Sequence, residues 1–251
     1  FPTRRSSDLT DTDAAAHRHP LAIMDDILLG TRHTLDRARQ GGVRRALYVS
    51  SGAVYGRQPA DVERLPEDAA FACDAMHPGS AYGEAKRAAE QWCLQFGEEH
   101  GMTIPVARCF AFVGAALPLD GHFAIGNFIR DALTGHRIQV SGDGSPLRSY
   151  LYGADLAIWL LTILLQGQHG RAYNVGSDQA LSIAELAHRV RDTLAPGADV
   201  HIAHTHDDKA GRNRYIPAIQ RARHELALDT WTPLEQAIRL TAECAPPESQ
   251  P

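Results

Sequence analysis

The sequence predicts an α/β fold: a doubly wound parallel sheet, incomplete at its N-terminus, with a smaller C-terminal region attached. Two observations carry this. Helix-like and strand-like periodicities alternate from Leu21 onward with short linkers, the pattern of parallel strands joined by crossover helices. The 251 residues, 44% of them hydrophobic, can also bury a sizeable core.

The elements follow in order. Ile23, Ile27, Leu28, Thr31, Leu35 and Ala38 recur at spacings of three and four, which predicts an amphipathic helix over 21–40, ended by Gly41 and Gly42. Ala46 to Ser50 reads as a strand that stops at Ser51 and Gly52, and 59–78 reads mainly as loop. A second helix is expected over 81–100, with Gly101 as its C-cap, followed by a strand at 104–108. Beyond it come a helix at 126–134, a strand at 138–140, a turn at Gly142 to Gly144 and a strand at 149–152. A helix at 154–165 leads to a strand at 173–175. Ser182 with Glu185 forms a capping box that opens a helix through Leu194, and 200–202 reads as a last strand.

Composition narrows the functional classes. Twenty-five Lys and Arg against thirty Asp and Glu give a net charge of -5 without a basic tract, which argues against a nucleic-acid partner. The most apolar run, Ile158 to Leu165, is far short of the roughly 20 residues that span a bilayer, so it reads as a buried helix and no membrane partner is expected. Cys73, Cys93, Cys109 and Cys244 show no CxxC or compact disulfide spacing, which fits a reducing cytoplasm. Residues 1–20 are neither periodic nor a signal peptide and read as a foreign or disordered leader.

Chemistry points first to Tyr82 and Lys86, four residues apart on one face of a helix start. A tyrosine titrates near 10, so proton exchange near neutrality calls for a neighbouring positive charge, which Lys86 can supply. Ser51 stands at the C-terminal end of a predicted parallel strand, the edge where open α/β sheets bind ligands. His201, His204 and His206 beside Asp207 and Asp208 fit no defined zinc spacing, so no metal is expected.

These two segments, Tyr48 to Gly56 and Ala81 to Lys86, in this order and about thirty residues apart, resemble the NAD-dependent epimerase/dehydratase family of extended short-chain dehydrogenases/reductases. Weaker landmarks follow in the family's order at 27–31, 108–114, 142–150, Asp155, 173–176 and 222–226. The resemblance implies a Rossmann-like fold whose cofactor domain comprises 21–115 with 146–176 returning to it, and a substrate-binding region at 116–145 and 177–245. It implies NAD or NADP as cofactor, a nucleoside-diphosphate sugar as substrate and a homodimer through the long helices.

Carried onto this sequence, the resemblance makes Ser51 the hydrogen-bond partner of the oxygen on the reacting sugar carbon, and Tyr82 the residue that exchanges its proton. Lys86 lowers the Tyr82 pKa and holds the nicotinamide ribose, and Phe110 lies near the nicotinamide. Arg148 contacts the nucleotide diphosphate, and Tyr215 and Arg212 reach the same nucleotide. The sequence departs from the family at Ile27 and Ala111, where asparagines are usual, and it contains no glycine-rich phosphate loop ahead of Leu21. Dehydrating members place an acid directly after the Ser51 equivalent. Gly52 and Ala53 stand there instead, so the expected activity is C4 epimerisation or 4-ketoreduction, with 4,6-dehydration or decarboxylation as alternatives and a non-catalytic binding relative as a reading of another class.

Overall fold

The computed structural model describes residues 19–115, 117–121, 123–204 and 213–245. The expected leader and the segment from Pro246 onward fall outside them, apart from His19 and Pro20.

The first helix, α1 (Pro20–Gln40), starts with a proline at its first turn and ends with Arg37 and Arg39, cations placed where the helix dipole favours them. It packs against α2 (Ala81–His100), whose Ala85, Ala89 and Cys93 form a buried stripe at spacings of four. Gly101 caps α2 in the left-handed conformation, φ 66°, where a side chain would be strained.

Three parallel strands, β1 (Tyr48–Ser51), β2 (Val106–Cys109) and β7 (Ala172–Val175), form the central sheet in the order β1-β2-β7. Their registers align Ser51 with Cys109 and Cys109 with Val175, so three strand ends meet at one edge. Strand alternation sorts the two faces. Ala107, Cys109, Tyr173 and Val175 pack with Trp159, Ile163, Ile219 and Ala222, while Tyr48 joins Leu35 and Cys93 on the α1/α2 side. Trp159 and Ile163 belong to α4 (Gly153–Gln166), and Ile219 leads into α6 (Gln220–Leu226).

The helix expected to be wholly buried is buried on one face only. Trp159 and Ile163 of α4 are fully enclosed, but Ile158, Leu161 and Leu165 are 49%, 59% and 67% exposed. An apolar run with no polar face gives no period from which to assign the outward side, and the sheet covers only the face toward Trp159. Arg45 closes the far end of α4, donating to the carbonyls of Leu164 at 2.8 Å and Gly167 at 2.6 Å.

A second core forms around α3 (Ala124–Leu133), α5 (Ile183–Leu194) and α7 (Leu234–Glu243), with Ile125, Ile129, Ile138, Leu186, Val190 and Ile238 at its centre. The expected capping box is formed: Ser182 Oγ accepts from Glu185 N at 3.1 Å, and Ser182 N donates to the Glu185 carboxylate at 2.7 Å. The single strand expected over 149–152 is instead two, β5 (Leu147–Arg148) and β6 (Leu151–Tyr152). β6 pairs with β3 (Phe112–Val113), whereas β5 lies between β8 (Leu181–Ser182) and β10 (Arg214–Tyr215). Ser149 and Tyr150 form the corner between two sheets. β4 (Ile138–Val140) and β9 (Val200–Ile202) make the last parallel pair.

Candidate active site

The site forms where β1 and β2 end. Ser51 is the last residue of β1 and accepts a hydrogen bond from Ala53 N at 3.1 Å, which starts a single turn of 3₁₀ helix over Gly52–Tyr55. A second such turn, Pro78–Ser80, delivers the chain to the start of α2 with Tyr82 as its second residue. The turn after β1 and the start of α2 pack closely: a Cβ at Gly83 would meet the Ala53 carbonyl at 2.7 Å and collide with Cys73 Sγ. This approach brings Tyr82 to Ser51.

Burial raises the Tyr82 pKa, and the neighbouring Ser51 hydroxyl is the group that opposes the rise. Lys86 lies one turn along α2, 9% exposed, with Nζ 5.8 Å from the Tyr82 ring centre and 5.3 Å from that of Tyr48. Its ammonium donates to the Val49 carbonyl at 2.9 Å. Burial lowers the Lys86 pKa, opposed by the nearby Cys109, Glu90 and Cys93. At Tyr82 desolvation dominates, and the neighbouring Ser51 opposes it.

Phe110 follows β2 directly, donates its N–H to the Val175 carbonyl at 3.0 Å and is 7% exposed. Its ring lies 4.6 Å from that of Tyr215. Tyr215, expected at the nucleotide, thus sits at the Ser51 end of the site, and burial raises its pKa while Ser51 lowers it. Arg148 is the register partner of Tyr215 across β5 and β10. Its guanidinium donates to the Leu147 carbonyl at 2.8 Å and approaches Asn213 Oδ1 at 3.4 Å. Ser51, Tyr82, Lys86, Phe110 and Tyr215 come together, and Arg148 lies on the strand beside them. Arg212 lies outside the described residues, as do His206, Asp207 and Asp208. Among the described residues no three His, Cys, Asp or Glu side chains group as metal ligands.

One functional support was not singled out from sequence. Glu90 accepts from Ser50 Oγ at 2.6 Å and from Arg108 at 3.0 and 2.7 Å, and Arg108 also donates to Tyr55 Oη at 2.9 Å. Tyr55 in turn donates to Asn174 Oδ1 at 2.8 Å. This network ties all three strands together one residue behind the site. Its signal was present in the spacing: Tyr82, Lys86 and Glu90 recur every four residues on one helical face.

Comparison with known proteins places this arrangement. The NAD dependent epimerase/dehydratase family pattern matches residues 10–176. UDP-glucuronic acid decarboxylase 1 of Danio rerio is 28% identical over 225 residues, which are 90% of this chain and 52% of that protein. The chain thus spans about half the length of that relative. Among solved structures, the UDP-glucose 4-epimerase of Thermotoga maritima, bound to UDP-glucose, superposes with a TM-score of 0.80 at 22% identity, over 93% of this chain and 73% of that one. The dTDP-glucose 4,6-dehydratase of Bacillus anthracis, bound to NAD, gives 0.76 at 21% identity, over 92% and 71%. The parallel sheet, the hydroxyl cluster at its edge and a family match across residues 10–176 agree: the chain belongs to the NAD-dependent epimerase/dehydratase family.

Proposed function

We propose that the full-length protein epimerises or reduces a nucleoside-diphosphate sugar at C4, by hydride transfer coupled to proton transfer through Tyr82. The observation that carries the reading is the convergence of Ser51, Tyr82 and Lys86 at the carboxyl edge of a parallel sheet. Tyr82 takes the hydroxyl proton as C4 is oxidised and returns it as the ketone is reduced. Ser51 hydrogen-bonds the same oxygen, and the Lys86 charge favours the phenolate against the burial that opposes it.

The residues fit the nicotinamide end of NAD. Lys86 is a buried ammonium with three N–H donors, of which Val49 engages one, so two can meet the vicinal hydroxyls of a ribose. Phe110 offers an apolar wall beside it. What NAD or NADP supplies when bound there is an acceptor and donor for the hydride at the same carbon. Arg148 is the residue suited to the diphosphate, because its planar guanidinium stays charged and can form paired bonds. The four cysteines are free, and no helix among the described residues is long and apolar enough to cross a membrane.

Decarboxylation is a second reading, favoured by the decarboxylases among the relatives. It shares the first step: a ketone at C4 stands β to a carboxyl carbon carried on C5, and such an acid loses carbon dioxide without an added base. Dehydration differs, since removing the C5 proton and expelling the C6 hydroxyl call for groups that Gly52 and Ala53 do not provide. The test is to incubate the full-length protein with UDP-, dTDP-, GDP- and CDP-hexoses and with UDP-glucuronic acid. Inversion or reduction at C4 is the expected result. Release of carbon dioxide selects the second reading, and accumulation of a 4-keto-6-deoxy product contradicts both.

A further inference from the structure

Tyr215 reaches the reaction centre from a part of the chain to which none of the relay residues belongs. It is the second residue of β10, held beside Arg148, and its ring packs on Phe110. Its hydroxyl lies over Gly52: a Cβ built on Gly52 would stand 2.6 Å from the phenol oxygen and 2.7 Å from Phe110 Cζ. The volume that a side chain at position 52 would occupy is filled by these two rings. The site is therefore lined there by the Tyr215 hydroxyl.

That hydroxyl lies 3.5 Å from the Cys109 carbonyl, too long to hold it firmly. Ser51, the neighbour of Gly52 over which the Tyr215 hydroxyl sits, is close enough to both Tyr215 and Tyr82 to lower their pKa values against burial. A serine hydroxyl has two lone pairs and one proton. Ala53 N–H takes one lone pair. The second lone pair can accept from one phenol, and the single proton can go to the other or to a ligand.

We propose that Tyr215 is a positioning residue of the reaction centre: its phenol donates to Ser51 Oγ and so turns the one Ser51 proton toward Tyr82 and the sugar oxygen. Burial keeps the Tyr215 phenol protonated and thus a donor throughout the neutral range. The inference rests on the reading of Ser51 and Tyr82 as the proton relay. It gives Gly52 a second meaning, because that glycine is what lets the phenol reach the serine.

The experiment is a double-mutant cycle in the full-length protein, with Tyr215→Phe, Ser51→Ala and the pair. Tyr215→Phe keeps the ring on Phe110 and deletes only the hydroxyl. The expected result is a fall in kcat of about tenfold, the size of one lost transition-state hydrogen bond, with KM nearly unchanged. The rising limb of the pH profile for C4 oxidation should move to higher pH, and Tyr215→Phe should cost nothing further in the Ser51→Ala background. Unchanged turnover, a loss confined to KM, or the same fold loss with and without Ser51 would overturn the proposal. A measurement without substrate separates it from the functional reading: the alkaline titration of Tyr82, followed by NMR of ring-labelled tyrosine. A midpoint raised by Tyr215→Phe and by Ser51→Ala, and no further by both, supports the positioning role even if none of the sugars is turned over. A midpoint that does not move overturns it whatever the substrate.

Discussion

One face of α2 carries two regions of opposite character. At its start Lys86 is buried and Tyr82 half-buried, and both keep bonding capacity in reserve: the ammonium has one carbonyl partner, and the phenol lies beside a serine that it shares with Tyr215. One turn further on, Glu90 accepts one bond from Ser50 and two from Arg108, and Arg108 uses four of its five N–H donors on Glu90, Tyr55 and the Glu67 carbonyl. Burial is similar in the two places. Groups that hold the fold have spent their hydrogen bonds, while groups that meet a ligand have them in hand, and this separates a site from a support more sharply than burial does.

The comparison predicts different failures. Tyr82→Phe should lower turnover by about 10²–10⁴-fold, the usual range for a lost acid–base group, while nucleotide-sugar binding and melting temperature stay near wild type. Steady-state kinetics with calorimetry on the full-length variant checks this. Retained turnover would move the relay to another residue.

Glu90→Ala should do the reverse. Glu90 and Arg108 have side chains only 12% and 16% exposed. Removing the carboxylate leaves a buried guanidinium unpaired, a loss of about 3–5 kcal/mol in unfolding free energy. Denaturant titration reads it directly. A loss below about 1 kcal/mol would show that the network is not what clamps the strands.

The smallest effect belongs to the rim. Glu225 accepts from Arg171 and from Tyr173 Oη, and the Arg171 guanidinium beside it holds its carboxyl below the ordinary value of 4.5. A carboxylate depressed by folding adds stability that is present above its unfolded pKa and is lost as pH falls through the folded one. Glu225→Gln should therefore cost about 1 kcal/mol or less at neutral pH, because the pair is partly solvated. The gap between variant and wild type should close progressively below pH 4.5. A gap independent of pH would assign the effect to packing.

What could be read from the sequence follows the range of the interactions. The proposed relay could be read because Tyr82 and Lys86 are four apart on one helix, and Ser51 because it ends an apolar strand; both are local patterns. Glu90 was legible by the same spacing once the face was known. Tyr215 was named only through the family resemblance, since β10 has only two described strand residues and its contacts with Phe110 and Gly52 join segments far apart in the chain. Arg148 fell on a strand too short to show a period, and the corner at Ser149 and Tyr150 split what read as one strand. The outward face of α4 was illegible for another reason: Ile158, Leu161 and Leu165 are as apolar as the residues facing the sheet, so periodicity carries no sign of side.

If chemistry begins at C4, as proposed, the fate of a deuterium placed on that carbon reveals it. In a single turnover of the full-length protein on UDP-, dTDP-, GDP- or CDP-hexose deuterated at C4, the label should pass to the nicotinamide and return to C4 in an inverted product. Product formation with the label never leaving C4, or with the label released into water, would contradict the account.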